Sequence, residues 1–256
     1  MNQTINELLS RKSVRVYENR PIKSEKKRII LESALQAPTA GNMTLYSIID
    51  VTDENLKKRL SVTCDNQPFI ADAPLVLIFC ADYSRWYECF CSANKVSTVN
   101  KVSTVEEEVR KPGAGDLLLA YTDAVIAAQN AVVAAEALGI GSCYIGDILE
   151  NYEIHKELLN LPKYVIPSAM LVFGYPTIQQ KERVKPTRFK LEDIIHENTY
   201  NYNTPNKQSE MLEGVTGKSG EELTSYIRAF CKRKWNSEFS REMSRSAYEM
   251  IKDWLE

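Results

Sequence analysis

Residues 117–138 form the most apolar stretch of the chain, and a helix built from them needs apolar cover on nearly all sides. Thr122, Asp123, Gln129, Asn130 and Glu136 interrupt the stretch where a bilayer would penalise them, so it reads as a buried core helix and not as a membrane span. The rest of the fold must wrap it. Residues 45–51 and 74–81 are apolar, β-branched runs that suit buried strands, with a helix beginning at Asp53 between them. The long helix starts near Asp116 and stops at Gly139, which suits a left-handed cap; residues 142–145 and 165–173 then read as further strands.

Toward the N-terminus, Ile5, Leu8 and Leu9 give a first short helix one apolar side, with Thr4 placed to cap it and an end near Arg11. Ser24 is placed to cap a second helix carrying Ile29, Ile30 and Leu35, which Pro38 stops because it lacks a donor and clashes with the preceding turn. Residues 92–115 are polar and contain a short direct duplication, 95–99 repeated as 101–105, so a surface loop is expected there. After Tyr200 the chain is polar over 201–207 and then shows helical patterns around 221–235 and 238–255. The expected organisation is therefore a main domain over 1–200 and a C-terminal helical extension over 201–256.

A length of 256 residues allows a substantial core without staples, and six scattered cysteines fit reduced thiols better than a disulfide framework. Met1 is followed by Asn2, Gln3 and Thr4, without the basic start and apolar run of a secretory signal, so a cytoplasmic location is expected. With 32 basic and 34 acidic residues there is no global field to attract nucleic acid or an anionic membrane, and any phosphate site must be local. Neither His155 nor His196 has a second His or Cys at metal-ligand spacing, so no metal is expected. Cys89 and Cys91 make a weak CxC signal, and Trp86, Tyr87 and Phe90 around them suggest packing in a substrate-facing helix or flap. No GxGxxG follows a strand, which disfavours a dinucleotide-binding Rossmann domain. No nucleophile, base and orienting group can be assembled from the motifs either, so the chemistry is expected to reside in a bound cofactor.

Arg11, Ser13 and Arg15 alternate, and in an extended segment their side chains share one side. Two guanidinium forks flanking a hydroxyl make a compact anion site, although such triplets are common on surfaces. Ala37, Pro38, Thr39, Ala40, Gly41 and Asn42 form a turn of small residues that a flat ring can approach closely, and the Asn42 amide can both donate and accept.

With Asn66-Gln67, the run 139–146, Gly174-Tyr175-Pro176 and Lys185-Pro186-Thr187-Arg188, these motifs occur in the order of the nitroreductase family, which the chain resembles over roughly residues 3–200. The resemblance is to the flavin-reductase branch with a C-terminal helical extension. It implies an α+β fold with a central, mostly antiparallel sheet flanked by helices, and a homodimer with FMN at the subunit interface. By that resemblance Arg11, Ser13 and Arg188 hold the FMN phosphate and ribityl chain, Lys185 adds charge beside them, and Arg15 lies near N1 of the ring. Gln67, with Asn66, meets the pyrimidine edge, Ile145 and Gly146 offer backbone groups near N5, and Pro38, Thr39, Ala40, Gly41 and Asn42 arrive from the other subunit. The family often has two serines after that proline, where this chain has Thr39 and Ala40. The implied activity is hydride transfer from NADH or NADPH to nitroaromatic, quinone or flavin acceptors by a ping-pong mechanism. The rivals are a non-catalytic FMN storage or sensor protein and a reductive dehalogenase on the same fold.

Overall fold

The computed structural model of the chain describes residues 2–99 and 109–256. The first unit to form a layer is the sheet: β1 (Tyr46–Asp50), β2 (Leu75–Asp82), β3 (Gly141–Ile145) and β4 (Val165–Gly174) lie in the order β1-β2-β4-β3. All three pairings are antiparallel, with a bulge between Phe79 and Cys80, so the α+β class with an antiparallel sheet is borne out. Every residue of β2 and β4 is buried, because both faces of the sheet are covered. Leu75, Leu77 and Phe79 of β2 join one core cluster, whereas Val76, Ile78 and Cys80 join another, the alternation a strand imposes.

The helices supply the cover. In chain order they are α1 (Gln3–Ser10), α2 (Ser24–Leu35), α3 (Glu54–Thr63), α4 (Ser84–Val99), α5 (Ala114–Ala137), α6 (Tyr152–Leu158), α7 (Ile178–Glu182), α8 (Leu191–Ile194), α9 (Pro205–Thr216), α10 (Gly220–Phe230) and α11 (Glu238–Leu255). The apolar helix α5 is long enough to cross a bilayer, yet Ala124, Ala127, Ala128, Ala131 and Val132 are fully buried in the cluster formed with Ile30, Ala34, Leu77 and Phe173. It is a core helix. Gly139 follows at φ +72°, the left-handed conformation that lets the chain turn directly into β3. The helix expected from Asp53 begins at Glu54, and Asp53 caps it by accepting from Leu56 N at 2.6 Å.

Two expected caps are corrected. Asn2, not Thr4, caps α1 by accepting from Thr4 N at 2.8 Å, since Thr4 already lies inside the helix. Lys23 holds the N-cap of α2 without a side-chain bond, and Ser24 is the first helical residue. The loop expected from residue 92 is helical as far as Val99 in α4; the second copy of the duplication lies outside the described residues. The polar stretch 201–207 contains the start of α9, whose cap Thr204 accepts from Lys207 N at 3.3 Å.

The chain divides into two compact units, Met1–Arg183 with Glu242–Glu256, and Val184–Arg241. The last helix returns to its own core: Trp254 is 1 % exposed beside Tyr164 and Met250, and its indole N–H donates to Gly113 O at 3.2 Å. Asp253 accepts from Tyr152 at 2.6 Å and from Lys156 at 2.8 Å, which fixes α11 on α6.

At the outer edge of β3 runs the segment after α1. Val14 N–H donates to Ser142 O at 2.9 Å and Glu18 N–H to Tyr175 O at 2.8 Å. The approach is possible because Gly141 and Gly174 have no Cβ: one added at Gly141 would overlap Val14, and one at Gly174 would overlap Tyr17. Gly141→Ala is therefore expected to destabilise the protein by about 1–3 kcal/mol, the usual cost of forcing an extra carbon into a filled contact. Denaturant unfolding of the variant beside the wild type measures this.

Candidate functional site

Because Val14 turns inward and is buried, its neighbours Ser13 and Arg15 face away from the core. The expected grouping of Arg11, Ser13 and Arg15 is present. All three converge on Cys143 of β3, whose thiol is pushed up by burial while Arg15, the Ser13 hydroxyl and Arg11 act the other way. Burial of the Tyr144 phenol, opposed by Arg11, likewise raises its pKa to about 12. The segment is clamped from behind, by Lys12 donating to Lys181 O at 2.6 Å, Arg183 donating to Ser13 O at 2.6 Å, and Gln180 Oε1 accepting from Arg15 N at 3.3 Å. Gln180 and Arg183 have no motif of their own, and their role depends on the turn after β4.

Arg11 carries the most informative detail. Its Nε and Nη2 are buried with no hydrogen-bond partner, and Glu136 of α5, at 3.9 Å, is too far to satisfy them. Burial raises the Glu136 pKa against the opposing pull of Arg11. A guanidinium with two unmet donors, beside a hydroxyl and a second guanidinium, fits an anion with several acceptor oxygens, such as a phosphate monoester.

Arg15 lies 5.8 Å from the ring of Phe69, which ties the cationic segment to the turn after α3. There Asp65 and Asn66 both take positive φ, at 58° and 50°, a conformation these residue types tolerate. The turn delivers Gln67, whose Nε2 donates to Asp147 Oδ2 at 2.7 Å, next to the end of β3 at Ile145 and the exposed Gly146. Gln67, Ile145 and Gly146 are thus brought together, and Asn66 is exposed beside them. Arg15, Phe69 and residues 16–22 also line a cavity of about 1030 Å³.

The small-residue turn is held differently. Asp123 of α5, only 3 % exposed, accepts from Ala40 N at 3.0 Å and from Leu45 N at 3.3 Å, and Thr39 Oγ1 accepts from Thr44 N at 3.1 Å. Gly41 and Asn42 both take φ 56°. Pro38, Gly41 and Asn42 are exposed, and the loop is rigidly presented from α5. Lys185 and Arg188 belong to the other compact unit, half-buried and exposed respectively.

The remaining candidates resolve simply. His155 is buried, donates from Nδ1 to Ile148 O at 3.0 Å, lies 2.8 Å from Thr63 Oγ1, and is driven toward neutrality by burial; it is structural. His196 stacks on Tyr200 at 4.6 Å. Cys89 and Cys91 sit two apart on α4, about 200° around the axis, so they do not face each other as a redox pair. Trp86 stacks on Phe90 at 5.5 Å on that helix.

An α+β protein with a cationic segment pinned to a sheet edge, facing a polar turn and a strand end, is a cofactor-cleft architecture. Its relatives narrow the class. A model of the nitroreductase family matches residues 8–175. The chain is 31% identical over 245 residues to the FMN reductase (NADPH) of Bacillus subtilis, covering 91% of this chain and 93% of that protein. It is 32% identical over 200 residues to the oxygen-insensitive NADPH nitroreductase of Salmonella typhimurium, covering 78% and 75%. The solved structure of NADPH:FMN oxidoreductase from Vibrio harveyi complexed with NAD+ aligns with a TM-score of 0.70 at 26% identity, covering 89% of this chain and 92% of that one. The chain belongs to the nitroreductase family.

Asp147, Glu150 and Asp123 are site-forming acids without a sequence signal. Glu150 is 4 % exposed, and burial followed by the charge of Asp147, with smaller effects of Asp65 and Glu242, pushes its pKa up to about 8. The folded state therefore keeps a proton that the unfolded chain releases near pH ~4.3, and between these values stability falls as pH rises. Glu150→Gln is expected to remove a stability loss of a few kcal/mol, roughly 1.4 per pKa unit, accumulated across that window. Unfolding of both proteins at pH values below and above the window measures it.

Proposed function

We propose that the chain is an FMN-dependent oxidoreductase that uses NADPH or NADH to reduce quinone, nitroaromatic or flavin acceptors. The observation that carries the proposal is the pair of unmet Arg11 donors beside Ser13 and Arg15, in a chain of the nitroreductase family. When bound, FMN supplies the redox chemistry, accepting hydride from the nicotinamide and passing it to the acceptor. The residues do the rest. Arg11 and Ser13 hold the phosphate. Arg15, fixed through its backbone by Gln180, places a cation beside the pyrimidine end, where charge develops on reduction. Gln67 and Asn66 meet the pyrimidine edge, and Ile145 and Gly146 offer backbone groups beside the central ring.

The exposed turn formed by Pro38, Thr39, Ala40, Gly41 and Asn42 is proposed to reach the partner subunit's cofactor in a homodimer. Leu118 and Leu119 of α5 are 68% and 50% exposed, and such residues on an apolar core helix support a subunit contact there. In the extension, Phe230 and Trp235 are also exposed, which supports packing of its helices on the partner. The reduced thiols support a cytoplasmic location.

Titration of the flavin-free protein with FMN is expected to give one site per subunit, and Arg11→Ala to weaken binding by about 1.5–3 kcal/mol, the worth of a charged hydrogen bond. Stoichiometric FMN binding with no NADPH or NADH oxidation in the presence of any quinone would leave a storage protein instead. In steady-state kinetics, donor and acceptor are expected to take turns at one stacking position, giving parallel double-reciprocal lines. Replacing Arg15 by Gln should lower the potential of the bound flavin; intersecting lines together with an unchanged potential would refute this arrangement.

A further inference from the structure

Both N–H bonds of the Gln67 amide are used inside the protein, one on Cys64 O at 2.9 Å and one on Asp147 Oδ2 at 2.7 Å. An amide held in this way has its carbonyl oxygen left to offer a ligand. That orientation needs Asp147 to be an acceptor, because an acid O–H at the same place would call for the opposite face of the amide.

Glu150 stands next to this pair. Its backbone N–H donates to Asp147 O at 3.1 Å, the Asp147 carboxyl is the foremost charge acting on its side chain, and its Oε1 is buried without a partner. The charged groups that face it are acidic: Asp147 from its own turn, Asp65 from the turn after α3, and Glu242 from α11. Arg245 is committed to Glu242 and Glu153 at 2.8 Å each. Cys64 is held protonated by burial and His155 neutral by burial, so neither supplies a positive charge. Two neighbouring carboxyls in such surroundings do not both ionise; they share a proton.

We propose that Glu150 is a positioning residue for the cofactor edge: it carries the shared proton and donates it to Asp147, Asp147 accepts from Gln67, and Gln67 thereby presents its carbonyl to the N3–H of a flavin pyrimidine ring. The proposal rests on the FMN assignment above. Glu150 acts through two other side chains and touches no reacting atom. The proton is held up to about pH 8, so the device is set at neutrality and released just above it. Release puts a second charge against Asp147, and the pair then separates and loosens Gln67.

The test titrates the full-length protein with FMN from about pH 6 to about pH 9.5, and records the visible absorption of the bound flavin, which responds to hydrogen bonding at the pyrimidine ring. The wild type is expected to lose affinity about threefold to tenfold through the alkaline step, the worth of one neutral hydrogen bond, with a change in the flavin band at the same midpoint. Glu150→Gln keeps a donor toward Asp147 at every pH and should bind without the step. Asp65→Asn suits the left-handed backbone there, removes one facing charge, and should move the step to lower pH. Titration of the flavin ring itself is common to all three proteins and cancels in the comparison. A flat wild-type profile, or a step of equal size and midpoint in every protein, overturns the proposal while leaving the FMN assignment intact. If Glu150→Gln does not fold, an unmoved step in Asp65→Asn overturns it alone. Failure of every protein to bind FMN at any pH overturns the FMN assignment and this proposal with it.

Discussion

The site depends first on how closely the segment after α1 can lie against the sheet. A side chain at Gly141 or Gly174 would hold Val14 and Tyr17 off the β3 edge. With both contacts made, Val14 is fixed inward, and the pleat then aims Ser13 and Arg15 outward without any further instruction. Lys12, Gln180 and Arg183 lock the same stretch from its other side. Cations set by backbone geometry need little rearrangement to meet an anion, and that is how fixed charges stabilise a bound group more than solvated ones do.

The two ends of the cleft have opposite character. Arg11 and Arg15 stand at one end, and the half-buried Asp147 and the buried Glu150 stand behind Gln67 at the other. Each end carries an unmet requirement, two donors on Arg11 and an acceptor on Glu150. Such groups are destabilising in isolation, because burial removes water without supplying a partner. Their presence among the candidate site residues is what a site looks like when stability has been given up for binding. Asp123 works from inside α5, satisfying the backbone of the small-residue turn so that the turn can stand exposed and still be ordered.

Much of this was legible in the sequence, for reasons that are local. Strand runs, the core helix, the Gly139 cap and the start of α3 each rest on neighbours within a few residues, and the alternation of Arg11, Ser13 and Arg15 needed only an extended backbone. The caps of α1 and α2 were misplaced by two residues and one: Asn2 competes with Thr4 as an acceptor, and Lys23 takes the N-cap position without a side-chain bond. The continuation of α4 was hidden by its polar composition, which displays little apolar periodicity. The acids were illegible for a different reason. Glu150 is perturbed by Asp65 and Glu242, far from it in the sequence, and nothing in its own neighbours announces that it will be buried. Gln67 was identified, but which of its two polar ends faces outward followed only from Cys64 and Asp147.

The helix α11 begins in one compact unit and ends in the other, so the Val184–Arg241 unit is an insertion closed at both ends and not a tail. Its entry is tied where Arg183 donates to Ser13 O, and its exit where Glu242 accepts from Asn151 N at 3.1 Å. A closed insertion obeys the statistics of loops: doubling its length adds only about 0.6 kcal/mol of closure entropy. The stretch between the two ties can therefore be lengthened, shortened or exchanged at little thermodynamic penalty while the sheet edge stays as it is. Variation in the inserted unit is decoupled from the foundation that holds the candidate cofactor groups, and related chains are free to diverge most between those two joints.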